Sequence, residues 1–243
     1  MCFMRPSFGW CPTLERERYA VPSSEFKNAE PSVWRVSVPG VRTQIHQRNG
    51  QNVNSMVVVA ISGSSGTGKT TVARYLVKEF GLKYVCAGTI FRKLAEEKGM
   101  TLEEFSRYVE RHPEIDRMID RRTVEAAREK NVLIDARLAG WMAKKADVKI
   151  LLTAPLEVRV RRISQREGRR HDEVLRETVV RERSERRRFK KIYGIDVGDH
   201  SSFDLILNTA RLSVRETVGI SKSAIDLIRR RKAEQRNGVR KYS

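Results

Sequence analysis

The stretch VVVAISGSSGTGKTTVARYLVKEF, Val57–Phe80, decides the fold class. It opens with a continuous run of mostly β-branched residues, as suits a strand buried on both faces of a sheet. It closes with Val72, Leu76 and Phe80 at helical spacing, and Gly81 follows as a stop. Between the two, Gly63, Gly68, Lys69 and Thr70 fulfil G-x-x-x-x-G-K-[ST], with Gly66 as a further flexible position. A strand entering a helix through such a loop turns its backbone N–H groups towards phosphates, and the helix N-terminus adds a favourable dipole. Gly63, Ser64, Ser65, Gly66, Thr67, Gly68, Lys69, Thr70 and Thr71 are therefore expected to hold a nucleoside triphosphate. Lys69 should reach the β- and γ-phosphates, and the Thr70 hydroxyl should meet Mg²⁺. The four specified positions match by chance in roughly 1% of chains of this length.

Outward from that loop, strands and helices alternate, the pattern of an α/β protein with a parallel sheet and crossover helices. A short strand is expected at Lys83–Cys86 and a helix from near Thr89 to Gly99. Thr101 and Glu104 have the spacing of a capping box, and Pro113 suits the first turn of a helix carrying Ile115, Met118 and Ile119. Strands follow at Val132–Ile134 and Val148–Leu152. Pro155 opens an arginine-rich helix up to Gly168, and a second starts near Asp172 and runs towards Tyr193. The last strand is expected at Phe203–Leu207, before a helix that Ser213 and Glu216 cap.

The 243 residues suit one sizeable catalytic domain with extensions. Five of the seven prolines fall before residue 40 among short polar runs, so residues 1–55 are expected to be a disordered extension. Met56 is an alternative start. The domain should occupy 56–230, with 231–243 a basic tail. A net charge of +19 favours anionic partners. The three cysteines, Cys2, Cys11 and Cys86, match neither a disulfide framework nor a zinc site. With no apolar run long enough for a membrane helix, a soluble cytoplasmic protein without membrane partners is expected.

Further candidate site residues lie beyond the loop. NVLIDARLAGW puts Asp135 at the end of an apolar strand, where a carboxylate can hold Mg²⁺ directly or through water. Arg137 follows at the carboxyl edge of the sheet, placed to take a phosphate bidentately. Arg92 lies on the first turn of the expected helix after a strand, another anion position. Arg159 and Arg162 are one turn apart, and Arg181, Glu185 and Arg188 share a face of the next helix. This pair resembles a cationic flap able to close over a nucleotide; its bland alternative is an exposed helix pair laced by Glu177, Glu182 and Glu185.

Taken together, the phosphate loop and the stretches AGTIFRKLAEEKGMTLEEFSRYVERHPEIDRMIDRR, RLAGWMA, KILLTAPLEVRVRRISQREG, RERSERRRFKKIYGID and FDLILNTARLS resemble the archaeal type of cytidylate kinase. The resemblance runs from about Val57 to about Ile220. It implies a P-loop kinase fold: a five-stranded parallel sheet flanked by helices, a helical monophosphate-binding region and an arginine-rich lid. It implies phosphoryl transfer from ATP to CMP or dCMP with Mg²⁺, by a monomer. By position, Arg92 and Arg137 match the arginines holding the acceptor phosphate, and Arg162, Arg181 and Arg188 match lid arginines. Lys69, Arg137 and Arg162 are the implied catalytic residues, and Thr70 and Asp135 the metal site. The chain departs from the family at Asp135-Ala136, where Glu-Gly commonly stands; the shorter carboxylate favours a water bridge to the metal.

Spacing alone identifies no side chain that reads a cytosine, so another acceptor on the same core, such as UMP, AMP or a small metabolite, remains the alternative. A nucleic-acid-binding role also follows from the charge. Against it stand the 7% aromatic content and the concentration of charge in the flap and tail, so nucleic acid is not expected as the primary partner.

Overall fold

In a computed structural model the described residues are 56–239, with side chains described to residue 235. They belong to the second of two units, Met1–Gln51 and Asn52–Ser243. The extension expected at 1–55, and the Met56 start, lie outside the described residues but for Met56 itself.

Five strands form one parallel sheet in the order β2-β3-β1-β4-β5: β1 Val58–Gly63, β2 Lys83–Cys86, β3 Val132–Asp135, β4 Val148–Thr153 and β5 Leu205–Asn208. The inner strands β1, β3 and β4 are mostly apolar on both faces because helices cover both. Val57, Val59, Ile61, Leu133, Ile150 and Leu152 pack with Val72, Ala73 and Leu76 of α1 (Lys69–Phe80) and Ile225 of α8 (Val214–Val239). On the opposite face Val58, Ala60, Val132 and Ile134 meet Ile119 and Ala126 of α4 (Pro113–Ala126) and Ala139 of α5 (Ala139–Met142). Register brings the functional ends together: Ile61, Asp135 and Cys86 lie side by side across β1, β3 and β2, and Gly63 lies beside Leu152 of β4.

Local signals set most boundaries. Gly81 ends α1 in the left-handed region at φ 61. Thr101 and Glu104 complete a capping box on α3 (Leu102–Arg111), and Pro113 occupies the first turn of α4. Ser213 and Glu216 bond reciprocally at the start of α8. α6 (Leu156–Glu167) stops at Gly168 and α7 (His171–Tyr193) at Gly194, both left-handed. No break in α8 marks residue 230; the helix continues to Val239.

Two elements start two residues away from expectation. The helix expected from Thr89 begins at Ala87 (α2, Ala87–Glu97), because the extended Cys86 leads straight into it with no connecting loop. β5 begins at Leu205 rather than Phe203, whose ring instead packs edge-to-face on Trp141 at 4.7 Å between centroids.

Candidate active site

The phosphate loop spans the end of β1 and the start of α1, where the geometry forces glycine. Gly66 has φ +81, and a Cβ there would lie 2.7 Å from the carbonyl oxygen of Arg159. The loop therefore packs directly on α6. Within it, Thr67 Oγ1 donates to the Ser64 carbonyl at 2.9 Å, and Lys69 Nζ donates to the same oxygen at 3.0 Å. Lys69 thus curls back over the loop. Burial pushes its ammonium below its ordinary pKa; Asp135 opposes this, and Arg137 adds to it.

Asp135 is 2% exposed and gathers donors from two elements, α1 and β2. Its Oδ2 accepts from Thr70 Oγ1 at 2.8 Å and from Tyr84 OH at 2.9 Å, with Cys86 Sγ 3.8 Å away. Burial first, and then Asp135, holds the Tyr84 phenol far above its ordinary pKa, so it remains a donor. The structure thus brings Thr70 and Asp135 into direct contact. A hydroxyl that gives its proton to a carboxylate keeps its lone pairs for a cation, and this oxygen pair suits a hard ion that retains waters and phosphate oxygens. Among the described residues no three of His, Cys, Asp or Glu converge into an all-protein cage.

A cleft of about 220 Å³ opens beside the loop, lined by Gly63, Ser64, Arg137, Trp141, Thr153 and His200 among others. Arg137 thus lines the same cleft as Gly63 and Ser64 of the loop. Arg137 Nε lies 3.1 Å from Glu185 Oε2 as an ion pair without a well-formed hydrogen bond. Arg181 is held more loosely, 3.5 Å from Glu177 and 4.0 Å from Glu185, and its Nε also lacks a hydrogen-bond partner. Two guanidiniums with an unsatisfied buried N–H, bracketing one carboxylate, form a receptor that an incoming anion can complete.

The remaining arginines are otherwise engaged. Arg162 donates from both terminal nitrogens: to the Gly66 carbonyl at 3.4 Å, Thr209 Oγ1 at 3.0 Å and the Thr209 carbonyl at 2.7 Å. It braces the loop in this conformation instead of facing open space. Arg188, expected in the lid, is 4% exposed and bonds Asp116 at 2.7 Å, the Ser106 carbonyl at 3.1 Å and Ser184 at 2.5 Å. Here it ties α7 to α3 and α4 and offers no face to a phosphate. Arg92 is exposed in the second turn of α2, not the first, because the helix starts earlier; it donates to Thr89 Oγ1 at 3.4 Å.

Sequence reasoning missed Tyr84, Thr209 and Asp116; it named Glu177, Glu182 and Glu185 as lacing the helix pair, but not the reach of Glu182 to Arg159 or of Glu185 to Arg137. Arg159, 6% exposed, joins Glu182 to the Ser65 carbonyl and so ties α7, α6 and the loop. None of these carries a local pattern; each depends on contacts between distant segments.

The cytidylate kinase-like family matches residues 58–211. A protein named cytidylate kinase from Pyrococcus horikoshii is 50% identical over 170 residues, covering 70% of this chain and 88% of that one. Another so named, from Methanocaldococcus jannaschii, is 46% identical over 178 residues, covering 72% and 100%. A solved structure of an uncharacterized protein from Eubacterium ventriosum matches with a TM-score of 0.52 at 14% identity, over 70% of this chain and 98% of that one, a likeness of fold alone. By that family match and those identities, this chain belongs to the cytidylate kinase-like family.

Proposed function

We propose that the protein transfers the γ-phosphoryl group of ATP to CMP, and to dCMP, giving ADP and CDP or dCDP. The observation that carries this reading is the cleft in which Arg137 faces the phosphate loop, in a chain 50% identical to a protein named cytidylate kinase.

An oxygen of the acceptor phosphate attacks the γ-phosphorus in line; its bond to phosphorus forms as the bond to the β-bridging oxygen breaks, and ADP leaves. The attacking oxygen is already ionised near neutral pH, so no general base is needed. The protein aligns two anions and offsets their charge. The loop amides and Lys69 hold the donor, Lys69 exchanging the Ser64 carbonyl for phosphate oxygens. Thr70 and Asp135 would hold Mg²⁺. When bound, the cation would offset negative charge on the phosphates. Arg137, with Arg92, orients the acceptor phosphate. Arg181 completes the site from α7, and Arg162 acts by bracing the loop.

A coupled assay of ADP release with CMP, dCMP, UMP, AMP and GMP tests this directly. Turnover is expected with CMP and dCMP; if none of the five is phosphorylated, the reading fails.

A further inference from the structure

Tyr84 has no part in the reaction just described, yet its hydroxyl lands on the carboxylate assigned to the cation. The placement is built into the sheet. β2 runs parallel to β3 with Cys86 opposite Asp135 and Tyr84 opposite Leu133, so Tyr84 and Cys86 share one face of the edge strand. That face looks towards α1, and the Tyr84 side chain packs against the core cluster containing Val72 and Leu76. Its hydroxyl then reaches along the sheet to Asp135 Oδ2 at 2.9 Å. Thr70, from the first turn of α1, reaches the same oxygen at 2.8 Å.

Two strong donors from separate elements therefore converge on one oxygen of a short side chain. The terminal torsion of an aspartate is broad, and on its own it holds no single orientation. Pinned through Oδ2, the carboxylate has one direction in which to present its other oxygen. Packing of the half-buried ring against the core holds the hydroxyl in place. We infer that Tyr84 is a positioning residue of the cation site: with Thr70 it locks Asp135 and thereby sets the affinity for the divalent ion accompanying the nucleotide. The inference rests on the proposed role of Asp135. It concerns a residue that touches neither the cation nor the nucleotide.

Tyr84→Phe removes one oxygen and keeps the packing of the ring. The test uses the full chain with a non-hydrolysable ATP analogue, Mn²⁺ as a paramagnetic probe, and an electron paramagnetic resonance titration. The expected result is a loss of about tenfold in Mn²⁺ affinity, the usual scale for a partner that orients a metal ligand. Binding of the analogue without metal should not change, and the melting temperature should move little. Asp135→Asn is the reference and should weaken Mn²⁺ at least as much. Because Tyr84 acts through Asp135, adding Tyr84→Phe to Asp135→Asn should cost nothing further. Unchanged Mn²⁺ affinity in Tyr84→Phe overturns the inference while leaving the metal role of Asp135 intact, and so does an additive double variant. A lowered melting temperature with unaltered Mn²⁺ affinity also overturns it, since that marks a purely structural hydroxyl. If Asp135→Asn itself leaves Mn²⁺ affinity unaltered, the metal reading of Asp135 fails, and this inference falls with it.

Discussion

The phosphate loop and helix α7 both carry groups that can meet an anion, but they present them by opposite means. In the loop the work falls to backbone amides, and two of the glycines that permit it cannot be replaced without collision: Gly63 against Leu152 and Gly66 against Arg159. On α7 the work falls to the Arg181 side chain, already matched with Glu177 and Glu185, whereas Arg188, bound to Asp116, ties helices together instead. A backbone cradle is preorganised and needs no partner in the empty state. A guanidinium on a long stem is not preorganised, and a neighbouring carboxylate holds it until a phosphate competes. One region is set by the covalent geometry of the chain and the other by exchangeable ion pairs.

Substitutions can break that contrast. The largest effect should come from Arg188→Ala, and it should be on stability. Removing the guanidinium leaves Asp116 buried without its partner, at a cost of about 3–5 kcal/mol. Urea unfolding measures it; a variant as stable as the parent but slow in turnover would return Arg188 to the lid. Next, Lys69→Ala and Arg137→Ala should each slow turnover by about a hundredfold or more with little loss of stability, since each removes one charged contact to the transferring group, worth about 3 kcal/mol. Steady-state rates at saturating ATP and CMP check this, and a near-normal Arg137→Ala enzyme would remove that residue from the mechanism.

A third expectation concerns pH. Asp120, on the buried face of α4, has its pKa raised from 3.8 to about 7; burial is the main cause, and Asp116 adds to it against Tyr193 and Arg188. A carboxyl whose folded pKa is raised contributes stability that is full below about pH 4 and lost as the pH rises towards about 7. Asp120→Asn, which cannot ionise, should therefore melt above the parent near pH 8, with an advantage that shrinks towards pH 4. Melting curves across that range decide it, and a constant difference would mean that Asp120 does not titrate there. The smallest effect should be that of Glu185→Gln. Freeing Arg137 and Arg181 from a competing carboxylate should lower the Michaelis constant for the acceptor by about two- to fivefold, the scale of a partly exposed ion pair. A raised constant would show Glu185 holding the acceptor instead of standing in for it.

What the sequence disclosed divides along the same line. Gly63 to Thr70, the box at Thr101 and Glu104, Pro113 and the β-branched strands act through neighbours a few residues away, so their spacing carries the information. The pairing of Arg188 with Asp116 joins residues 72 apart, and that of Tyr84 with Asp135 joins residues 51 apart. Nothing local distinguishes Arg188 from Arg187, yet one is buried and the other is exposed beside Glu110. Phe203 likewise reads as strand by composition but leaves β5 because Trp141 offers its ring a better surface. Residues whose role depends on which helix packs against them stay silent in the sequence even where the fold is plain.

The contact of Gly66 with the backbone of Arg159 also bears on how such a chain can vary. With no free space between loop and helix, any side chain at residue 66 requires α6 to retreat, and a retreat also carries the Arg162 brace away from the Gly66 carbonyl. Changes at residue 66 and along residues 159–162 are therefore tolerated only in concert. A mutational scan should show these positions as one block, jointly intolerant, even though 93 residues separate their nearer ends in the chain (159 − 66).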